Sequence, residues 1–184
     1  MRAAHPTADV EVWATDAHEA HRVGLKPIVG RVWARNGQRP IVRVQHRFQW
    51  RYVLAFVHPA SGQTEWQFAS TVNTAVMSVA LASFAATVGA GPTKRIVLVL
   101  DQAGYHTSPL VHVPDGLHLV FLPPYSPELQ PAEHLWHYTD QPLLNEHFPT
   151  IDALEDAVAD HCDRLQRQRD VLRSATLFHW WPAI

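Results

Sequence analysis

Three carboxylates stand at positions of the sequence that can be interpreted structurally. Asp16 ends the first strand-like stretch, and Asp101 closes the apolar run RIVLVLD. Glu133 follows FLPPYSPELQPA, whose four prolines stiffen the approach to a helix. In mixed α/β sheets the strand ends are where side chains converge on a crevice. The spacing therefore raises the hypothesis that these three residues share one site.

Carboxylates gathered in one site repel one another, and divalent cations remove that repulsion. Oxygen ligands favour Mg²⁺ or Mn²⁺, and two such ions about 3.5–4 Å apart can activate water and stabilise the leaving oxygen in phosphodiester cleavage. Spacing alone leaves a plainer interpretation open. In that interpretation Asp101 caps a turn, Glu133 is an ordinary carboxylate in a first helical turn, and Asp16 is exposed.

The first half of the sequence predicts an antiparallel three-strand meander. The alternating stretch from Val10 to Thr15 indicates a strand that ends just before Asp16. Asn36-Gly37 separates two alternating runs, which predicts a hairpin. A second hairpin is predicted around Pro59 to Gly62.

The second half predicts helices and buried strands. Helical periodicity covers Asn73 to Val88, with Val72, Val76, Val79 and Phe84 near one face, and the runs RIVLVL and LHLVFL are typical of buried parallel strands. Further helices are expected from about Pro131 into the Leu143 region and from Thr150 towards Leu172. The predicted fold class is α/β, a mixed sheet flanked by helices.

The composition narrows the class of protein. At 184 residues, 47% apolar and 17% charged, the chain is expected to form a single domain spanning residues 1–184, with its core at about 10–165. We find neither a membrane-spanning run nor a signal peptide, so a cytoplasmic location is expected. A net charge of −2 argues against coating nucleic acid by bulk charge, but not against a nuclease. A single cysteine, Cys162, excludes an intramolecular disulfide and thiolate metal sites.

Three segments, WATDAHEAHRVGLKPIVGRVWARNGQRP, LVLDQAGYHTS and FLPPYSPELQPAEHLW, resemble in this order the catalytic core of DDE transposases of the mariner superfamily, in its bacterial insertion-sequence branch. The resemblance implies a ribonuclease-H-like fold and metal-dependent cutting and rejoining of double-stranded DNA. It makes Asp16, Asp101 and Glu133 the catalytic ligands of two Mg²⁺ or Mn²⁺ ions. It also implies a homodimer that acts on DNA in the nucleoid, with no membrane partner.

Two departures from the family pattern leave alternatives open. The family follows its first Asp directly with an acidic residue and then H-R-x-G-L, whereas this chain has about three additional residues near Ala17 to Ala20, so Glu19 competes with Asp16 as the first ligand. The helix-turn-helix region of full-length relatives is not visible before Val10. The alternatives are therefore a catalytically inactive remnant that binds DNA or a partner, and a general nuclease of the same fold.

Other reactive side chains also have both a functional and a structural interpretation. His18 and His21 are three apart beyond a strand, which does not match a helical zinc-protease motif. His106 is placed either to approach a phosphate or to serve a structural role. Tyr125 and Ser126 are expected to hold the helix of Glu133 in place.

Two larger groups of residues have general roles. A local basic patch surrounds the first predicted hairpin and would meet a DNA backbone or simply be solvated; its members are Arg22, Lys26, Arg31, Arg35, Arg39 and Arg43. Five tryptophans are expected to pack in the core: Trp13, Trp33, Trp50, Trp66 and Trp136.

Overall fold

The computed structural model describes residues 8–182, except for the side chains of residues 17–20. Its centre is one five-stranded sheet formed by β1 (Asp9–Gly24), β2 (Trp50–His58), β3 (Gln63–Ala69), β4 (Lys94–Leu100) and β5 (Leu117–Phe121). The strand order is β3-β2-β1-β4-β5. The first three strands form an antiparallel meander, while β4 runs parallel to both β1 and β5. The predicted mixed sheet is confirmed.

Helices cover the sheet, namely α1 (Thr74–Val88), α2 (Gly104–Thr107), α3 (Trp136–Thr139), α4 (Ile151–Gln166) and α5 (Arg169–Thr176). The two long helices have side-chain N-caps, because Asn73 accepts from the Val76 amide and Thr150 accepts from the Ala153 amide. Short 3₁₀ turns lie at Pro127–Leu129, Pro131–Leu135 and Gln141–Leu143. Among the described residues, no helix combines the length and the apolar character that a bilayer crossing requires.

Alternation along the central strands buries residues on both faces of the sheet. One face packs against α1, with Trp13, Phe56 and Phe84 in a single cluster. The other face packs against the C-terminal helices and the turn that carries Glu133. The predicted apolar face of α1 is wrong at Val79, which is 70% exposed, because the buried face is formed by Met77, Leu81, Phe84 and their neighbours.

The hairpin predicted at Asn36-Gly37 is wrong as a pair of strands. A turn does form there, with the Gln38 amide donating to the Arg35 carbonyl, but residues 25–49 contain no strand. Trp33 is fully exposed and Ile41 is 95% exposed, so the flanking apolar residues have no surface to pack on. The turn at Asn36-Gly37 therefore forms, but the segments on either side of it do not pair as strands. The prediction that Trp33 packs in the core is also wrong.

Strand β1 is longer than predicted and continues past Asp16 to Gly24. Its register against β2 shifts between two pairs, Asp16 with Ala55 and His21 with Val53. Between these two pairs the chain advances five residues along β1 but only two along β2. Strand β1 therefore accommodates three additional residues in an irregularity of the bulge type. The insertion seen in the sequence coincides with this shift.

The C-terminal helices are more broken than predicted. The single helix expected from Pro131 to the Leu143 region is two 3₁₀ turns around the short α3. Pro142 explains the break after α3, since proline lacks an amide hydrogen and disfavours a helical residue before it. The helix from Thr150 ends at Gln166, and α5 follows. Helix α4 packs on the core cluster that contains Val53. Leu172 of α5 packs on a different cluster, which contains Ala55, so the chain changes direction between the two helices.

Candidate functional site: three carboxylates around one cavity

Asp16 lies within β1 at the start of the register shift and is 5% exposed. Its Oδ2 accepts a 2.7 Å hydrogen bond from the indole Nε1 of Trp136, in α3. A carboxylate this deeply buried needs donors, since its transfer out of water is otherwise costly. The interpretation of Asp16 as an exposed residue is wrong.

Asp101 follows the last residue of β4, where the chain leaves the sheet. Its Oδ1 accepts from the Ala103 amide at 3.2 Å, so Asp101 does cap the turn into α2. The same oxygen lies 2.8 Å from Nδ1 of His106, which is 2% exposed. An ionised carboxylate only accepts, so Nδ1 carries the hydrogen of this bond. Burial of His106 favours its structural role over a direct approach to a phosphate.

Glu133 lies in the 3₁₀ turn Pro131–Leu135 rather than in the first turn of an α-helix. Gln130, just before this turn, is 2% exposed and bonds in two directions. Its Oε1 accepts from the Ala132 amide, and its Nε2 donates to the Thr15 carbonyl at 2.9 Å. The turn of Glu133 is thereby attached to the strand that carries Asp16.

The three carboxylates line one cavity of about 610 Å³. Its other lining residues are Gln102, Leu122, Pro123, Pro124, Tyr125, Ser126, Pro127 and Gln130. Carboxylate oxygens are the donors that Mg²⁺ and Mn²⁺ prefer, so this set of residues fits such ions chemically. Within the part of the chain that the structure describes, no three His, Cys, Asp or Glu side chains are close enough to hold one ion together.

The rim of the cavity is formed by the proline-rich loop after β5. Gln102 donates to the Leu122 carbonyl at 2.8 Å and so attaches the loops after β4 and β5 to each other. Tyr125 has a φ of 58° and is 98% exposed, so its side chain does not hold the turn of Glu133 in place as predicted. Ser126 contributes through its backbone, because its carbonyl accepts from the Leu129 amide.

Most of the predicted basic patch lies on the segment 25–49 and not on a hairpin. Its six members are all exposed. Arg22, at the end of β1, places its guanidinium 4.6 Å from the ring centroid of Trp50, a cation–π geometry. The other five remain available to solvent or to a charged partner.

Sequence reasoning missed the side chains that support the site. Trp136 does pack against the core, as predicted, but its bond to Asp16 is not part of that prediction. His21 and Asp140 were not paired in the prediction, yet His21 Nε2 and Asp140 Oδ1 are 2.6 Å apart. The competing ligand Glu19, like His18, lies outside the described side chains.

Two sequence comparisons relate this chain to known proteins. The family model described as "DDE superfamily endonuclease" matches residues 13–155. An uncharacterised protein of Sinorhizobium fredii (strain NBRC 101917 / NGR234), y4pE/y4sA, is 37% identical over 114 residues, which cover 61% of this chain and 80% of that protein.

Solved structures share the fold at low sequence identity. The Mos1 strand transfer complex superposes with a TM-score of 0.58 at 14% identity over 91% of this chain and 55% of that one. The mariner Mos1 paired-end complex with Mg gives a TM-score of 0.56 at 14% identity, covering 91% and 56% of the two chains. This chain thus spans about half the length of the structures it matches.

The two lines of comparison bear on different points. The Mos1 structures confirm the predicted ribonuclease-H-like mixed sheet. The family match includes Asp16, Asp101 and Glu133 together with the strands and turns that carry them. The chain therefore belongs to the DDE superfamily of endonucleases.

Proposed function

We propose that this chain is the catalytic domain of an insertion-sequence transposase, a metal-dependent DNA endonuclease and strand transferase. The observation that carries the proposal is the common cavity lined by Asp16, Asp101 and Glu133. Membership of an endonuclease superfamily supports it, as does the fold shared with Mos1 complexes. In this proposal all residues 1–184 form one catalytic unit.

Asp16, Asp101 and Glu133 would hold two Mg²⁺ or Mn²⁺ ions. When bound, such ions supply an activated water and stabilise charge on the leaving oxygen. The chain's own residues do the positioning: His106 orients Asp101, and Gln130 attaches the turn of Glu133 to β1. The structures of Mos1 with Mn and with Mg support this choice of ion by likeness of fold.

The proposed substrate is double-stranded DNA in two successive reactions. Water first displaces a 3′ oxygen from a phosphodiester at the end of the element. The freed 3′ hydroxyl then attacks a target phosphodiester, forming a new P–O bond as the target's own 3′ oxygen leaves. The exposed arginines of segment 25–49 would contact backbone phosphates. Structures of Mos1 paired-end complexes support two copies acting together, and the nucleoid is the proposed place of action.

Nicking of a supercoiled plasmid by the full chain, with Mg²⁺ or Mn²⁺, tests this proposal. We expect Asp16→Asn, Asp101→Ala and Glu133→Gln each to abolish metal-dependent nicking while circular dichroism shows an intact fold. Glu19→Ala tests the rival ligand and should leave nicking unchanged. Exposed Asp115, in the turn before β5, provides a matched control, and Asp115→Ala should also leave nicking unchanged.

Each other outcome selects a different interpretation. Loss of nicking in Glu19→Ala with full activity in Asp16→Asn would replace Asp16 by Glu19. A folded wild type that binds DNA but does not cut it with either ion would identify an inactive remnant. Nicks mapped evenly around the plasmid and around scrambled sequences, with no preferred site, would indicate a general nuclease.

A further inference from the structure

Trp136 contacts both ends of the three-residue irregularity in β1. At one end its indole N–H donates to Asp16 Oδ2 at 2.7 Å. At the other end the ring of His21 stacks on the Trp136 ring, with centroids 4.6 Å apart and planes inclined by 8°. The Trp136 side chain therefore contacts Asp16 through its N–H edge and His21 through its ring face, one on each side of the register shift.

The register explains why both ends reach the same indole. Asp16 pairs with Ala55 and His21 with Val53, and these two partners are two residues apart on β2. Residues two apart on a strand point to the same face. The additional residues therefore leave Asp16 and His21 on one side of the sheet, where α3 packs.

The orientation of Trp136 is itself held by neighbouring groups. His21 Nε2 lies 2.6 Å from Oδ1 of Asp140, and the Asp140 amide donates to the Trp136 carbonyl at 3.0 Å. The stacked imidazole is thus attached to the same helical turn that carries the indole. Rotation of Trp136 away from Asp16 would disrupt the stacking contact together with the N–H bond.

The chemistry of the indole suits a carboxylate that must meet a cation. Indole Nε1 is a neutral donor with no acceptor function. It donates a hydrogen bond to the buried Asp16 without neutralising its charge. A Lys or Arg at the same place would donate a hydrogen bond and also neutralise the charge. This N–H contact therefore does not itself offset the negative charge that would attract a divalent ion.

Trp136 also relates Asp16 to Glu133. Gln130 and Trp136 flank Glu133 at three residues on either side, and they bond respectively to the Thr15 carbonyl and to the Asp16 side chain. Two adjacent residues of β1 are therefore attached to both flanks of the turn that carries Glu133. This double attachment constrains where the turn of Glu133 lies relative to β1.

From these contacts we infer that Trp136 is a positioning residue that aims Asp16 into the cavity across the inserted segment and thereby keeps Asp16 as the first of the three carboxylates. The inference rests on the proposed function for its consequence, which is tighter binding of the metal. Its geometric content, the Trp136 to Asp16 bond in solution, can be tested without any metal.

The first measurement is Mn²⁺ binding by isothermal calorimetry on the full chain. Trp136→Phe keeps an aromatic ring for His21 but removes the N–H, and we expect affinity to fall about 10- to 100-fold, the usual effect of losing a residue that orients a ligand. The matched control is Trp66→Phe, which removes the indole N–H bond to Thr64 on β3. That control should bind Mn²⁺ as the wild type does.

The second measurement uses metal-free protein labelled with ¹⁵N at its tryptophan indoles. The chain has seven tryptophans, so the resonance that disappears in Trp136→Phe identifies Trp136. We expect this resonance to move in Asp16→Asn and to stay in place in Asp152→Asn, whose partner is Arg51. This readout uses wild-type Trp136 and does not depend on Trp136→Phe being stable, since Trp136→His provides a second assignment.

The outcomes separate the inference from the proposed function. Unchanged Mn²⁺ affinity in a folded Trp136→Phe, with affinity lost in Asp16→Asn, would overturn the inference and leave the proposed function standing. An indole resonance indifferent to Asp16→Asn would also overturn it. If the wild type binds no Mn²⁺ while the resonance responds to Asp16→Asn, the positioning contact stands and the proposed metal chemistry fails.

Discussion

His106 Nδ1 lies 2.8 Å from Oδ1 of Asp101, and the imidazole is almost completely buried. The two residues are five apart, so the contact is made within one short turn and α2. Asp101 thus has its contact within its own segment, whereas the contact of Asp16 comes from Trp136, 120 residues away. We therefore expect the two carboxylates to respond differently to changes elsewhere in the protein.

We expect His106→Ala to lower Mn²⁺ affinity about 10- to 100-fold, because Asp101 loses the donor that fixes its rotamer. Calorimetric titration of the full chain measures this directly. His112→Ala is the control, since His112 is exposed and its bond to Ser78 Oγ comes from its backbone amide. Equal affinity in the two variants, with both folded, would show that the His106 contact does not orient Asp101 for metal.

Gly62, in the turn between β2 and β3, has a φ of 70°, and a Cβ there would overlap the Arg169 carbonyl oxygen. Gly37 has a φ of 85° with nothing within 4 Å of a Cβ. Gly37→Ala should therefore lose only about 1–2 kcal/mol for the left-handed backbone. Gly62→Ala should lose roughly a further 1–3 kcal/mol from overlap with α5. Urea unfolding of both variants tests the ranking, and equal losses would contradict it.

Phe84 anchors α1 on the sheet, stacking on Phe56 at 4.2 Å and meeting Trp13 edge-on at 5.1 Å. We expect Phe84→Ala to lower the free energy of unfolding by about 3–5 kcal/mol through loss of buried area and the resulting cavity. Val79→Ala, at a 70% exposed position of the same helix, should stay within about 0.5 kcal/mol. Denaturant titration compares them, and a comparable loss in both would argue against this packing of α1.

Burial raises the pKa of the Cys162 thiol from 9.0 to about 12, with Asp163 adding to the effect. The folded protein therefore keeps this proton at pH values where the unfolded chain has lost it. Stability from this group is complete below about pH 9 and falls as pH rises towards 12. We expect Cys162→Ala to lose stability less steeply over that range than the wild type.

The same burial predicts a kinetic difference in thiol labelling. At pH 9 a disulfide reagent should modify Cys162 slowly in the native protein and rapidly in urea, because only the thiolate reacts and the folded thiol is both protonated and 1% exposed. A native rate equal to the rate in urea would contradict the buried position on α4.

Local signals in the sequence were sufficient for several elements. Asn73 and Thr150 begin the long helices because their side chains cap nearby amides, a bond between residues three apart. The β2–β3 hairpin follows from two strand-like runs around one turn. The placement of Asp101 at the end of a buried strand was predicted from the apolar run alone.

Other predictions failed where a local signal needed a partner that local sequence does not specify. Asn36-Gly37 makes a turn, but no sheet edge accepts the segments on either side of it. Trp33 is a residue type that commonly packs in cores, but here it is exposed and has no surface to pack on. The helix from Thr150 divides before α5 because its two halves cover different clusters of the core.

The sequence by itself therefore determined which three carboxylates to consider and which strands or turns carry Asp16, Asp101 and Glu133. The tertiary structure alone decided how the site is supported. The bond from Trp136 to Asp16 joins residues 120 apart, and the bond from Gln130 to Thr15 joins residues 115 apart. No local pattern encodes such bonds, because they depend on the register of β1 after its inserted residues and on which face of the sheet α3 covers.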